Sequence, residues 1–176
     1  MAGKRVVVVG GANSAGQAAM FFADLACEVL LVVRGESIEG RMSRYLVDQI
    51  TARDSIRVLT RTEVVEVVGD DYLRSVTIQG PQGRSQFDVA GLFVFIGARP
   101  RTEWLPDWIE RDEHGYVSTG PAVATPDGGE YATSQPGVFA VGDVRAGSVK
   151  RVASAIGEGS IVVPTLHRYL AVTRRR

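Results

Sequence analysis

A run of four valines, Val6 to Val9, ends at Gly10-Gly11 and constrains this chain more than any other feature. Consecutive β-branched residues suit a central strand that is buried on both faces. Small and apolar residues recur at helical spacing after the turn, which predicts a helix over about Asn13 to Ala26. A strand, a glycine turn and a helix bring backbone N–H groups and a positive helix end to a phosphate. This order is typical of dinucleotide binding, although any tight strand-to-helix turn also favours glycine.

The glycine fingerprint departs from its usual form at one position. The pattern G-x-G-x-x-G/A falls on residues 10–15, which puts Ala12 where the second glycine belongs. A methyl group there hinders the approach of the backbone to the phosphates, and we expect Gly11 to take over part of that role. Asn13 or Ser14 is expected to cap the helix. The candidate binding residues in this loop are Gly10, Gly11, Ala12, Asn13, Ser14 and Ala15.

The second apolar run, Glu28 to Val33, predicts a parallel neighbour of the first strand. An NAD site places Asp or Glu just after this strand, where the carboxylate binds ribose hydroxyls. This chain has Arg34 there, with Glu36 two places on and Arg41 further along. A guanidinium can pair with the oxygens of a 2′-phosphate, so the sequence favours NADPH over NADH. Glu36 leaves NADH as the alternative nucleotide, because its carboxylate is of the type that binds ribose hydroxyls. The alternative interpretation of the arginines is that they are solvent-exposed residues at the start of a helix.

The composition excludes several classes of protein. Twenty basic and twenty acidic residues cancel, so there is no basic field for nucleic acid or an anionic membrane. No apolar run is long enough to span a bilayer. His114 and His167 have no partner at ligand spacing, so no metal site is predicted.

The single cysteine, Cys27, rules out a disulfide or a dithiol centre within the chain. We expect Cys27 to be a small core residue, with a reactive thiol as the alternative. A cytoplasmic location fits the cysteine usage and the composition.

The pattern changes after a helix at Met42 to Arg53 and a short strand at Ile56 to Leu59. Three strand-like stretches follow between residues 63 and 89, separated by glycine-containing turns. They predict an antiparallel meander laid over a parallel sheet. A further buried strand is expected at Gly91 to Ala98, and Pro100 marks the exit from the first domain.

The second half of the chain has a different character. Residues 121–136 are rich in Gly, Pro, Thr and Ser and are expected to be mostly loop. Gly137 to Asp143 repeats the strand-to-glycine turn, now with an acid at the strand end. A helix with small residues on one face is predicted from Lys150, and Pro164 kinks or restarts it. Arg174 to Arg176 are expected to form a solvated tail.

Four pieces of the sequence together resemble the low-molecular-weight thioredoxin reductase-like family of pyridine nucleotide–disulfide oxidoreductases. They are residues 10–19, residues 33–36 with 42–46, residues 91–100, and residues 137–143 with 151–159. The last piece is the most specific, and the resemblance covers nearly the whole chain.

This resemblance implies an FAD domain that is split in sequence, with an NADPH domain inserted into it. Residues 1–98 then correspond to the NAD(P)H-binding domain, with a Rossmann-like parallel sheet and the antiparallel β-meander. Residues 99–176 correspond to the C-terminal portion of the FAD domain, a partial second α/β domain.

The resemblance also implies which residues of the second half meet the flavin. Gly142 and Asp143 match the family's contact with the ribityl–pyrophosphate region, and the alternative for Asp143 is an ordinary N-cap or turn acid. Arg151, Val152 and Ala153 match the helix start beside the flavin ring, where a positive helix end favours reduced flavin. Gly97, in the third matching piece, joins the candidate cofactor-binding residues.

In the resembling family, an N-terminal FAD segment with its own glycine loop precedes the part that matches this chain. The Cys-x-x-Cys of true thioredoxin reductases also lies in that preceding part. Some relatives lack the dithiol and pass electrons elsewhere, for example to ferredoxin, so the acceptor stays open. The chain is therefore expected to be a truncated or partial form, completed by a homodimer or by a partner chain.

Three hypotheses follow. The first is an oxidoreductase that passes hydride from NADPH to FAD and needs no side chain as acid or base. The second is an NAD(P)H-binding module without turnover. The third is a defective remnant with a partly disordered second half.

Overall fold

The structure is a computed structural model that describes residues 3–26, 28–123 and 129–173. It divides into two compact units, Met1–Gly97 and Ala98–Arg176. Cys27 and the tail from Arg174 to Arg176 lie outside the described residues, so the expectations for them stay predictions.

Within its described residues, the first unit contains seven strands and two α-helices. In chain order they are β1 (Arg5–Val9), α1 (Asn13–Ala23), β2 (Glu28–Val32), α2 (Arg44–Thr51), β3 (Ile56–Leu59), β4 (Glu63–Gly69), β5 (Leu73–Gly80), β6 (Gly83–Asp88) and β7 (Gly91–Val94). Strands β1, β2, β3 and β7 form a parallel sheet in the order β3-β2-β1-β7, and β4, β5 and β6 form an antiparallel sheet in sequence order. The predicted α/β class, with a parallel sheet and an antiparallel meander, is confirmed.

Alternate residues of the valine run pack on opposite faces of the parallel sheet. Val6 and Val8 belong to one core with α1 and α2, while Val7 belongs to a second core with the antiparallel sheet. Leu30 of β2 lies beside Val7 and packs against Val76 of β5 in that second core. The parallel sheet is therefore the middle layer, covered by helices on one face and by the meander on the other.

The helix layer depends on one close approach between α1 and α2. A Cβ atom added at Gly16 would lie 2.7 Å from Met42 Sδ and 3.3 Å from Ile50 Cδ1. The absence of a side chain at Gly16 therefore leaves room for Met42 and Ile50 to pack directly on the α1 backbone.

Two local expectations for the first unit are wrong. Ala12, and not Asn13 or Ser14, occupies the N-cap position of α1, and no side chain caps this helix. The strand expected to be buried at Gly91 to Ala98 is shorter and half-exposed, with Val94 55% exposed. The physical reason is that β7 lies at the edge of the parallel sheet, where it has only one neighbouring strand.

The second unit, within its described residues, is built from turns, isolated bridges and one long helix. Short 3₁₀ turns lie at Gly120–Ala122 and Gly142–Val144, and α3 spans Val152–Thr173. Pro164 lies inside α3, so the helix does not restart there. Among these residues, Val117 forms isolated β-bridges to Arg111 and Arg145.

Replacement of Leu30 by alanine should destabilise the first unit. The Leu30 side chain is fully buried between the two sheets, so its removal leaves a cavity and should lower the free energy of unfolding by about 2–5 kcal/mol. Leu25→Ala is the matched control, because Leu25 is 46% exposed. Urea unfolding followed by far-UV circular dichroism measures both, and equal losses in the two variants would contradict the assigned core.

Candidate nucleotide-binding sites

The glycine loop after β1 is packed too tightly for a side chain at its first position. Gly10 has φ +145°, and a Cβ there would lie 2.5 Å from the Phe95 carbonyl oxygen and 2.9 Å from Ala15 Cβ. The Gly10 N–H donates to the Val32 carbonyl at 3.0 Å, which holds the loop against the end of β2. The first glycine of the fingerprint is therefore required by the fold.

The amino end of α1 has free backbone donors. Within the described part of the chain, the N–H groups of residues 11–15 have no hydrogen-bond partner, and the first donor used is Gly16 N–H, at 3.1 Å from the Ala12 carbonyl. Ala12, Asn13 and Ser14 are exposed, whereas Ala15 is buried. An uncapped helix end that opens to solvent presents its donors and positive dipole end to an anion.

Asn13 uses its side chain elsewhere. Its Oδ1 accepts a 2.7 Å hydrogen bond from the N–H of Ser43, the N-cap residue of α2. Asn13 therefore links the starts of the two helices, and its side chain is not free to cap α1. Ala12 has φ −113° and ψ 179°, a conformation open to any residue. The departure from the fingerprint at this position leaves the loop backbone unstrained.

Arg34 lies beside this loop because β1 and β2 are parallel neighbours that end at the same edge of the sheet. Gly11 approaches Val33, as a Cβ on Gly11 would lie 3.0 Å from Val33 Cγ1. The next residue, Arg34, is exposed and lines an open pocket of about 420 Å³. The other lining residues are Arg61, Thr62, Glu63, Gln79, Gly80 and Pro81.

The remaining candidates of the first unit do not line this pocket. Arg41 and Glu36 are exposed in the segment between β2 and α2. Gly97 follows β7 with φ +90° and has open space around its Cβ position. The structure therefore brings Arg34 to the same sheet edge as the glycine loop, but it does not add Arg41 to the Arg34 pocket.

In the second unit, the turn at Gly142–Val144 is held by α3. Gly142 has φ +74°, and its N–H donates to Glu158 Oε2 at 2.7 Å. The Arg145 guanidinium donates to both oxygens of the same carboxylate, at 2.7 Å and 3.2 Å. The side chains of Arg145 and Glu158 are 14% and 12% exposed, so this ion pair is well shielded from water.

Asp143 is exposed at the tip of this turn. Arg151, Val152 and Ala153 are also exposed and form the start of α3, where the Ala155 N–H donates to the Arg151 carbonyl at 3.0 Å. A Cβ at Gly142 would lie 3.3 Å from Ala155 Cβ, so the turn packs directly on the first turn of α3. The second unit thus presents a carboxylate turn and a helix start on one local surface.

The Arg145–Glu158 pair also has an electrostatic consequence. The hydrogen-bonded Arg145 guanidinium lowers the pKa of Glu158, and the Gly142 N–H acts in the same direction, while partial burial opposes them. The same contact raises the pKa of Arg145. Both groups are therefore charged at neutral pH.

Two residues of these sites were not predicted from the sequence. Glu158 carries no local signal for its contact with the Gly142 turn, because the two are sixteen residues apart and meet only through the packing of α3. Arg61 follows β3 by two positions, and its place beside Arg34 depends on the pairing of β2 with β3. The sequence does carry one signal for Arg61, because it is a polar residue just beyond a predicted parallel strand, where ligands bind in sheets of this type.

Among the described residues, no helix is long and apolar enough to cross a membrane, and no three His, Cys, Asp or Glu side chains cluster as a metal site would require.

The profile of pyridine nucleotide-disulphide oxidoreductases matches residues 1–159. The chain belongs to this family. It is 34% identical over 170 residues to thioredoxin reductase of Mycolicibacterium smegmatis, across 94% of this chain and 51% of that protein. It is 32% identical to thioredoxin reductase of Chlamydia trachomatis, across 95% of this chain and 51% of that protein.

A solved structure supports the same relationship. The crystal structure of T. acidophilum thioredoxin reductase matches with a TM-score of 0.74 and 29% identity, across 97% of this chain and 53% of that one. The chain thus spans about half the length of the relatives it matches. The thioredoxin reductase-like resemblance predicted from the sequence is confirmed.

Glu158 should make the second unit more sensitive to acid. Its pKa in the folded chain is lower than the ordinary value of 4.5. The ion pair therefore stabilises the fold fully above that value, and the stabilisation is lost as pH falls through the folded pKa. Glu158→Gln should cost roughly 1–3 kcal/mol at pH 7 and should flatten the loss of stability below pH 4.5.

Urea unfolding followed by tryptophan fluorescence tests this expectation, because both tryptophans, Trp104 and Trp108, lie in the second unit. Glu103→Gln is the control, since the Glu103 side chain is 73% exposed and lies 3.9 Å from Arg101. An acid limb as steep in Glu158→Gln as in the wild-type chain would contradict the role of the pair.

Proposed function

We propose that this chain is part of an NADPH-dependent flavoprotein oxidoreductase, with NADPH bound by residues 1–98 and FAD bound partly by residues 99–176. The observation that carries the proposal is the uncapped amino end of α1, whose free N–H groups lie at the same sheet edge as Arg34. This arrangement fits a dinucleotide, with its pyrophosphate on the helix end and its adenosine ribose beyond β2.

The residues that would hold NADPH have separate tasks. The backbone from Gly11 to Ala15 would bind the pyrophosphate, and Gly10 would keep the loop close to the sheet. Arg34 would pair with the 2′-phosphate, since it is exposed and lines the open pocket at this edge of the sheet. Arg41 and Gly97 are further members of the proposed site, at the edge of the nucleotide.

The residues of the second unit fit part of a flavin site. Asp143 would bind the ribityl–pyrophosphate region from the turn that Gly142 and Glu158 hold. The start of α3, at Arg151, Val152 and Ala153, would place a positive helix end beside the flavin ring and favour electron-rich reduced flavin. FAD, when bound, supplies the acceptor for hydride from NADPH, and the protein supplies position and charge.

The alternative proposal is an NAD(P)H-binding module without independent turnover. The observation that favours it is that the chain covers only about half the length of its relatives. A second copy of the chain or a partner chain would then supply the remaining contacts to FAD. We propose a cytoplasmic location for either form.

The absorption spectrum of the purified chain separates the two proposals. The chain is mixed with FAD, desalted and examined for the visible flavin bands before and after addition of NADPH. Retained flavin that NADPH bleaches supports the oxidoreductase. Binding of NADPH without retained flavin supports the binding module, and the absence of binding to either nucleotide contradicts both proposals.

Replacement of Arg34 by alanine should weaken NADPH binding about tenfold or more, because a charge-assisted contact to the 2′-phosphate is lost. The affinity for NADH should change little. Arg57→Ala is the matched control, since Arg57 is an exposed arginine on β3 outside the pocket. Isothermal titration calorimetry measures the affinities, and an unchanged NADPH affinity in Arg34→Ala would overturn the 2′-phosphate assignment.

A further inference from the structure

Arg61 has an unusual backbone conformation for a residue with a long side chain. Its φ is +50°, and it is the one non-glycine residue in the left-handed region within the described part of the chain. This region is less favourable for an L-residue with a long side chain than for glycine. An arginine at such a position points to a task for its side chain, because glycine would fit the backbone better.

The backbone around Arg61 is tied directly to the residues on either side of Arg34. The Arg61 N–H donates to the Gly35 carbonyl at 2.9 Å, and the Thr62 N–H donates to the Val33 carbonyl at 3.1 Å. These two hydrogen bonds hold the segment after β3 against the segment after β2. Arg34 lies between the two acceptor residues, so the backbones of Arg34 and Arg61 are held close together.

Both arginines line the same open pocket of about 420 Å³, with Glu63 as its single carboxylate. Neither guanidinium forms an ion pair with any described residue of the chain, and the Arg34 and Arg61 residues are both exposed. The lining therefore carries two positive charges and one negative charge. It lies just beyond the carboxyl ends of β2 and β3, at the sheet edge that holds the glycine loop.

We infer that Arg61 is a second specificity-determining residue for the 2′-phosphate of NADPH, acting together with Arg34. This inference rests on the proposed function. A phosphate monoester carries about 1.5 to 2 negative charges at pH 7, and two guanidinium groups can neutralise it where one cannot. Arg61 contacts the phosphate in this arrangement, while its left-handed backbone aims the side chain into the pocket that Arg34 lines.

The experiment compares Arg61→Ala and Arg61→Gly with the wild-type chain and with Arg57→Ala. The affinities for NADPH and NADH are measured by isothermal titration calorimetry, and the melting temperature of each variant is recorded. Both Arg61 variants should bind NADPH about tenfold more weakly and NADH as the wild-type chain does. Arg61→Gly should melt at the same temperature or higher, because glycine relieves the left-handed backbone.

The glycine variant separates a binding role from a structural one. A loss of NADPH affinity in a variant that is at least as stable as the wild-type chain cannot come from misfolding. Arg57→Ala removes the same charge from β3 without touching the pocket and should leave both affinities unchanged.

The outcomes also separate this inference from the proposed function. If the wild-type chain prefers NADPH and Arg34→Ala abolishes the preference while both Arg61 variants keep it, the role of Arg61 is overturned and the proposed function stands. Equal weakening of NADPH and NADH in the Arg61 variants also overturns it. If the wild-type chain binds neither nucleotide, the proposed function and the inference fall together.

Discussion

The burial of β1 and β2 on both of their faces is the interaction on which the first unit depends. Neighbouring residues of the valine run point to opposite sides, so the helices and the meander each need the same short strand. Replacing water with apolar contacts on both faces stabilises the sheet, and it also fixes where the strands end. Because β1 and β2 pair in parallel register from Arg5 and Glu28, both end at one edge. The glycine loop and Arg34 meet there for that reason.

At this sheet edge, one backbone N–H of the glycine loop is bonded to the protein and the following ones are free among the described residues. The Gly10 N–H donates to the Val32 carbonyl, and this hydrogen bond anchors the loop. Within the described part of the chain, the N–H groups of the next residues have no partner. Asn13 bonds to the start of α2 and so leaves the helix end uncapped. A loop anchored at one point and open at the next combines rigidity with unfilled hydrogen-bonding capacity, which is what an anion site requires.

In the second unit, an ion pair holds the turn at Gly142 in place. Its turn at Gly142 needs a partner for an N–H group in a partly buried place, and Glu158 on α3 supplies that partner. Arg145 then balances the carboxylate at 2.7 Å, so that no net charge is left in the shielded contact. Asp143 stays at the exposed tip of the turn. The turn is therefore shaped from within the unit, although the chain spans only about half the length of its relatives.

The sequence by itself determined the order of elements in the first unit, the parallel pairing of β1 with β2 and the meander, because hydrophobic period and turn residues are local signals. The family followed from the resemblance of four sequence pieces. It also singled out the glycine loop and Arg34. Only the tertiary structure decided that α1 begins after Ala12 without a side-chain cap, since the Asn13 side chain bonds to Ser43, thirty residues along the chain. The same holds for the place of Arg61 beside Arg34 and for Glu158 beneath the Gly142 turn. These contacts join residues far apart in sequence, and their partners are chosen by packing, which no local pattern records.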